Sequence, residues 1–310
     1  MCGAAFNPTT DIPDQSGRVF LITGGTTGLG ATTISFIAAQ SPACIFFSGR
    51  NQKRADELIS RVQQASPSTK VVFIECDLSS LASVEAAAKK FTSESDRLDV
   101  LMLNAGVMAT PASLSKDGYE IQFATNHLGH ALLIKLLLPI MLKTAAQPSS
   151  DVRVINVSSV AYSNAPSPGI EFSKLKTRNA SYGGMMTPNK WACYGQSKLA
   201  NLLYPIELAK RCPSITSVAV HPGFIKTELH THENFIDRRI VNLMADKWLD
   251  KDEGAYTQTW AATVAKEKLE SGAYYEPVGV KTMPKTKQGK DAGLAKELWE
   301  WTEKELEGWM

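Results

Sequence analysis

Short apolar, β-rich runs recur along the chain at 19–22, 44–47, 71–74, 100–103, 152–157 and 217–220. Between them, 31–39, 54–64, 83–91, 119–142 and 194–210 are long enough, and apolar at helical spacing often enough, to be crossover helices. Strands buried on both faces read as continuous hydrophobic runs, and alternation with helices implies an α/β fold with a doubly wound parallel sheet. No linker divides the 310 residues, so one domain over 1–310 is expected, with its core at about 17–280. Two regions exceed a minimal unit. Residues 162–190, rich in proline, glycine and serine, read as a long inserted loop, and 290–310 as a helical extension with Leu298, Trp301 and Leu306 as a docking face.

The first strand-to-helix turn, "TGGTTGLG", carries Gly24, Gly28 and Gly30. It has no lysine, which excludes the P-loop, and it lacks the G-x-G-x-x-G spacing of the usual dinucleotide fingerprint. A tight glycine turn here would still aim the unpaired N–H groups of a helix N-terminus at an anion. Glycines alone fit a plain connecting turn equally well.

The carboxyl ends of the other strands carry further chemistry, where an open parallel sheet places its ligands. After the fourth run comes Asn104-Ala105-Gly106, after the fifth Ser158-Ser159, and after the sixth His221-Pro222-Gly223. In "YGQSK", Tyr194 and Lys198 stand four apart on one helix face. Free tyrosine titrates near ~10, and an adjacent ammonium favours the phenolate. Tyr194 would then act as general acid toward a carbonyl, or as base in reverse.

Taken together and in order, "TGGTTGLG", "NAG", "VSS" and "YGQSK" resemble the short-chain dehydrogenases/reductases over roughly residues 17–230. "NHLGH" and "YGQSKLANLL" look like the branch containing retinol dehydrogenases. The resemblance implies a Rossmann-like fold and an oxidoreductase that moves hydride between a nicotinamide and a carbonyl or alcohol. It implies that Tyr194 is the proton donor or acceptor, that Lys198 tunes it and holds the nicotinamide ribose, that Ser159 binds the substrate oxygen, and that Asn126 holds a water linking Lys198 to solvent. It lays the cofactor along Gly24, Thr26, Thr27, Gly28, Leu29, Asp77, Leu78, Asn104, Ala105, Gly106, Pro222, Gly223 and Thr227. Ser158 is expected only to bond backbone. Two features depart from the family pattern: the long gap from Ser159 to Tyr194, and Pro205 inside the catalytic helix, which should bend it and puts a dimer through that helix in doubt.

Cofactor choice rests on Arg50. An NAD site places a carboxylate about ~20 residues past the glycine loop, whereas Ser48-Gly49-Arg50-Asn51 stands here with a cation suited to a 2′-phosphate. NADP(H) is the expected cofactor, and a bulky apolar ketone or aldehyde the expected substrate, walled by residues such as Met185, Met186, Trp191, Phe235, Leu243, Met244 and Trp248. An NAD-dependent alcohol dehydrogenase and a redox-inactive dinucleotide sensor are the alternatives.

Composition excludes other classes. A net charge of +2, with 21% charged residues, offers no basic stripe for nucleic acid. Five cysteines form no C-x-x-C pair and leave one over, and no secretory signal is visible, so a reducing, cytoplasmic setting is expected. The greasiest run, from Ala131, is about half the ~20 residues a membrane span needs, so no span is expected. His230 and His232 lack further ligands for a metal. Cys193 reads as packing, Asn179-Ala180-Ser181 as an unused glycosylation match, and Lys281, Lys285, Lys287 and Lys290 as a solvated loop. Trp299, Trp301 and Trp309 suit a lid or a docking helix. A homo-oligomer is a further expectation.

Overall fold

A computed structural model of the chain describes residues 6–177, 189–225 and 248–309. Eight strands form one sheet: β1 (Val19–Thr23), β2 (Cys44–Gly49), β3 (Val71–Glu75), β4 (Val100–Leu103), β5 (Arg153–Val157), β6 (Thr216–Val220), β9 (Tyr274–Glu276) and β10 (Val280–Lys281). Their order is β10-β9-β6-β5-β4-β1-β2-β3, parallel except for β10. The chain winds outward from β1 to β3, returns to β4 beside β1, and continues the other way. That reversal opens a crevice at the carboxyl ends of β1 and β4, where Thr23 is followed by the glycine turn and Leu103 by Asn104.

Strand side chains alternate between two cores. Leu21, Phe46, Leu101 and Val154 face α3 (Leu81–Glu94), α5 (Gly129–Ala145), α6 (Asn189–Arg211) and α8 (Ala292–Glu305). Phe20, Phe47, Met102 and Val218 face α1 (Gly28–Ala38), α2 (Gln52–Ala65) and α7 (Lys251–Thr263). The sheet is therefore wound on both faces, as the sequence implies.

Several elements differ from expectation. Helix α7 has no apolar period to announce it, because its buried face is built from small and polar residues such as Gly254, Thr257, Gln258 and Ala261. A capping box starts it instead: Asp250 Oδ1 accepts the Glu253 N–H at 2.7 Å, and Glu253 Oε2 accepts the Asp250 N–H at 3.3 Å. Just before α7, β8 (Trp248–Leu249) pairs with β7 (Phe224–Ile225) in a separate parallel ribbon. Lys281 lies on an edge strand rather than in a loop, bonded to Glu270.

The apolar run from Ala131 belongs to a longer helix, Ile121–Ala145, which spans 25 residues and is long and apolar enough by length and composition to cross a membrane. The expectation that it was too short is corrected, since the helix begins ten residues earlier than the greasy run. Leu132, Leu133, Leu137 and Met141 of this helix are buried in the core. A three-residue turn, α4 (Ile121–Phe123), is followed by a π-helical turn, Ala124–Leu128, and then α5. Helix α6 runs unbroken from Asn189 to Arg211 with Pro205 inside it.

The described part of the inserted loop is packed. Tyr162, Ile170 and Leu175 are buried, and the Tyr162 hydroxyl accepts the Lys285 N–H at 2.7 Å. The C-terminal tryptophans serve docking. Leu298 and Leu306 are fully buried, Trp299 stacks on Tyr204 of α6 with ring centroids 4.6 Å apart, and Trp301 packs edge-on against Tyr119 and Phe123. Thr302 Oγ1 lies 3.0 Å from Nε2 of His127, so α8 also grips the π-turn. Cys44, Cys76 and Cys193 are buried and Cys212 partly so, all four as free thiols. Burial pushes the Cys193 thiol up, in keeping with packing.

Candidate active site

The glycine turn is shaped by close approaches. Gly24 and Gly28 adopt φ of +66° and +57°, which side-chain-bearing residues rarely take. A Cβ on Gly30 would stand 2.4 Å from the Gly24 carbonyl oxygen and 2.7 Å from Asn104 Nδ2, so helix and turn can meet only at glycine. Position 28 is different: a Cβ there would meet nothing, so the turn is open on that side. The first N–H groups of α1 have no acceptor within the helix, and the Thr27 side chain does not cap them. An open, N–H-rich concavity of this kind fits a pyrophosphate. Gly30→Ala is expected to lower stability by about 1–3 kcal/mol and to weaken dinucleotide binding, read by thermal unfolding and by titration.

Asn104 secures the turn from the β4 side. Its Nδ2 donates to the Thr23 carbonyl at 2.9 Å and the Gly24 carbonyl at 3.3 Å, while its Oδ1 accepts from Gln258 Nε2 at 3.1 Å. The Ala105 N–H donates to Thr23 Oγ1 at 3.1 Å. Asp77 turns Oδ1 to the N–H and hydroxyl of Ser79, and the Leu78 carbonyl lies so close to α5 that a Cβ on Gly129 would stand 2.3 Å from it. At the end of β2, Gly49 packs closely on Thr26, where a Cβ would stand 2.7 Å from Thr26 Cγ2. Arg50 follows it and is exposed. Pro222 and Gly223 follow β6, partly exposed, with Gly223 at φ +98°. Thr227 lies outside the described residues, as do Asn179, Ala180, Ser181, Met185, Met186, His230, His232, Phe235, Leu243 and Met244.

The structure brings Ser159, Tyr194 and Lys198 together. Ser159 Oγ accepts the Ala161 N–H at 3.2 Å and hydrogen-bonds the Tyr194 hydroxyl. Ser158 points away, donating to the Lys198 carbonyl at 2.7 Å, which is the structural part expected of it. Lys198 Nζ lies 5.8 Å from the centre of the Tyr194 ring and donates to the Val157 carbonyl at 2.9 Å. Met108, Ala109, Ala161 and Trp191 pack around Tyr194, giving it an apolar wall.

Burial dominates the electrostatics. The Tyr194 phenol is pushed up to about 12 by burial, opposed by the Ser159 hydrogen bond, and burial pushes the Lys198 ammonium down to about 8. Desolvation is the larger influence on the phenol, the Tyr194 residue being 8% exposed. A phenol held protonated is matched to giving a proton.

Asn126 also has a structural part. Its Oδ1 accepts the Val107 N–H at 2.8 Å, and Nδ2 spends both protons, on the Val107 carbonyl and on Ser197 Oγ, each at 2.9 Å. The amide therefore braces the turn after β4 against α6. A Cβ on Gly106 would stand 3.1 Å from Asn126 Oδ1 and 3.5 Å from Lys198 Nζ, so the two residues flank one glycine. Sequence reasoning missed two supporting residues, Gln258 and His130; a histidine inside an otherwise greasy helix was the available signal for the second.

Known proteins with similar sequences and folds bear on this site. The sequence profile of the short chain dehydrogenases matches residues 18–171. An uncharacterized oxidoreductase of Schizosaccharomyces pombe is 36% identical, covering 96% of this chain and 87% of its own. The short-chain dehydrogenase/reductase drtF of Aspergillus calidoustus is 34% identical over 95% of each chain. The solved structure of an uncharacterized Mycobacterium paratuberculosis protein superposes with a TM-score of 0.70 at 29% identity, covering 98% of this chain and 97% of that one. The NADPH-bound carbonyl reductase from chicken fatty liver shares the fold, with a TM-score of 0.64 at 21% identity over 89% of this chain and 97% of its own. Identity above one third along nearly the whole length, on a Rossmann-like sheet with the glycine turn at its switch point, makes this chain a member of the short-chain dehydrogenase/reductase family and an oxidoreductase of that type.

Proposed function

We propose that the protein is an NADP(H)-dependent reductase of bulky, apolar ketones or aldehydes, with Tyr194 as the proton donor. The observation that carries this reading is the grouping of half-buried Ser159 with buried Tyr194 and Lys198 at the carboxyl end of β5, with the tyrosine protonated and walled by Trp191, Met108 and Ala109. NADPH bound along the crevice would supply the hydride. The N-terminus of α1 and the open face at Gly28 suit its pyrophosphate, and the glycine at position 106 leaves room beside Asn126 and Lys198 for its nicotinamide end. Ser159 would hydrogen-bond the carbonyl oxygen and Tyr194 would give it a proton as charge develops there. Lys198 would stabilise the phenolate left on Tyr194 and hold the ribose, and a proton drawn from solvent would restore the phenol. The free thiols fit the proposed cytoplasmic setting.

NADP(H) is favoured over NAD(H) by Arg50. No carboxylate stands at the end of β2, where Gly49 is fixed by Thr26 and the exposed guanidinium is free to pair with a 2′-phosphate. Arg50→Asp is expected to weaken NADPH by about 2–3 kcal/mol and shift preference toward NADH, read by coenzyme titration. Faster wild-type turnover with NADH at equal concentration would contradict the assignment.

The reading as a whole is tested by a panel of ketones and aldehydes scored by NADPH oxidation. Carbonyl-dependent oxidation favouring bulky apolar members is the expected result. NADPH binding without turnover of any carbonyl would support a dinucleotide sensor instead.

A further inference from the structure

Gln258 is fully buried on α7, and its amide reaches both sides of the crevice. Nε2 stands 3.1 Å from Asn104 Oδ1, 2.9 Å from Thr33 Oγ1 on α1 and 3.6 Å from Met102 Sδ. The Asn104 amide can face only one way. Its Nδ2 is aimed at the carbonyl oxygens of Thr23 and Gly24, which can only accept, so Oδ1 is the end left toward Gln258. An oxygen there needs a donor, and Gln258 must therefore present its NH2 group. The result is a directed chain from Gln258 through Asn104 to the main chain of the glycine turn.

Helix α7 is seated for this contact. Gly254 lies one turn before Gln258 on the same face, where a Cβ would stand 3.0 Å from Leu29 Cδ2 and 2.6 Å from Ile225 Cγ1. The other end of the glutamine gains nothing: its Oε1 is buried without a hydrogen-bond partner. An acceptor left dry and unpaired costs stability, and a methionine of similar length would carry no such cost. What the glutamine supplies and a methionine cannot is the donor to Asn104. We infer that Gln258 is a positioning residue for the cofactor: it fixes the orientation of the Asn104 amide, which holds the Thr23 and Gly24 carbonyls in the shape that receives the dinucleotide. The inference rests on the reading of that turn as a dinucleotide site.

Two substitutions separate positioning from packing. Gln258→Met removes the donor and the orphaned acceptor together while keeping the length. Gln258→Glu keeps the shape but sets a carboxylate oxygen against Asn104 Oδ1; only the protonated acid can donate there, and burial raises the pH at which it takes up that proton. In the full chain, Gln258→Met is expected to raise the Kd for NADP+ about tenfold, with kcat at saturating NADPH within about threefold of wild type and the melting temperature near wild type. Gln258→Glu is expected to bind NADP+ more weakly than Gln258→Met at pH 8 and to recover toward wild type at pH 6. The same ratios are expected with NAD+, because the turn faces the pyrophosphate common to both. That pH-dependent recovery is a readout that a purely structural residue would not produce. The inference fails if Gln258→Met binds both coenzymes like wild type, or if the affinity of Gln258→Glu relative to wild type is the same at both pH values. It fails too if both variants lose melting temperature, kcat and affinity together. Wild-type protein that binds neither NADP+ nor NAD+ would overturn the dinucleotide site itself, and the inference with it.

Discussion

Replacing Tyr194 by Phe is expected to lower carbonyl turnover by about 10² or more while leaving NADPH affinity and folding near wild type. The hydroxyl is the only group removed. Its hydrogen-bond partner is Ser159, which keeps a second bond from the Ala161 N–H, so no buried acceptor is stranded. The ring retains its edge-on packing with Trp191, 6.2 Å between centroids. The glycine turn, Asn104 and Arg50 lie on other elements and are untouched. Steady-state kinetics and NADPH titration of the purified variant check this. A variant that turns over within a few-fold of wild type would remove Tyr194 from the mechanism.

Lys198→Met separates activity from stability. Burial holds the ammonium near 8, below its ordinary 10.5, so between these values the folded chain binds fewer protons than the unfolded chain. Stability contributed by this site therefore rises with pH across that window and is lowest below about 8, where the charged group must be kept buried. The shift corresponds to a cost on the order of 3 kcal/mol at neutral pH. Methionine removes that cost and keeps most of the volume. The Val157 carbonyl loses the lysine but retains Asn201 Nδ2 at 3.3 Å. The variant is expected to melt higher than wild type at pH 7, with the advantage shrinking as pH approaches 10, and to lose turnover and NADPH affinity together. A lower melting temperature at pH 7 would mean that the buried ammonium is net stabilising, contrary to the direction of its shift.

Much of the fold is legible in the sequence because its central strands are buried on both faces. The runs at 19–22, 44–47, 71–74, 100–103, 152–157 and 217–220 coincide with β1 to β6 to within a residue or two. The elements that escaped lack that signature. β9 and β10 are three and two residues long, and α7 buries threonines and glutamine rather than an apolar stripe. Of the site, the spacing of Tyr194 and Lys198 and the glycine turn could be read directly, since a helix face and a strand-to-helix turn are local geometries. The direction of the tyrosine shift could not, because it depends on burial by Met108, Ala109 and Ala161 from elsewhere in the chain. Nor could the work done by Asn126, whose amide is claimed by a residue 71 positions away. Gln258 is more distant still, reaching Asn104 across 154 positions.

The decisive measurement is the fate of the hydride. The protein is incubated with NADPH carrying deuterium at C4 of the nicotinamide, and with the best ketone or aldehyde of the panel; the alcohol is analysed by mass spectrometry. Transfer of one deuterium to the carbinol carbon, from one face of the nicotinamide only and abolished in Tyr194→Phe, is the expected result. Alcohol without deuterium from either labelled epimer, or labelled alcohol formed equally fast by Tyr194→Phe, would contradict it.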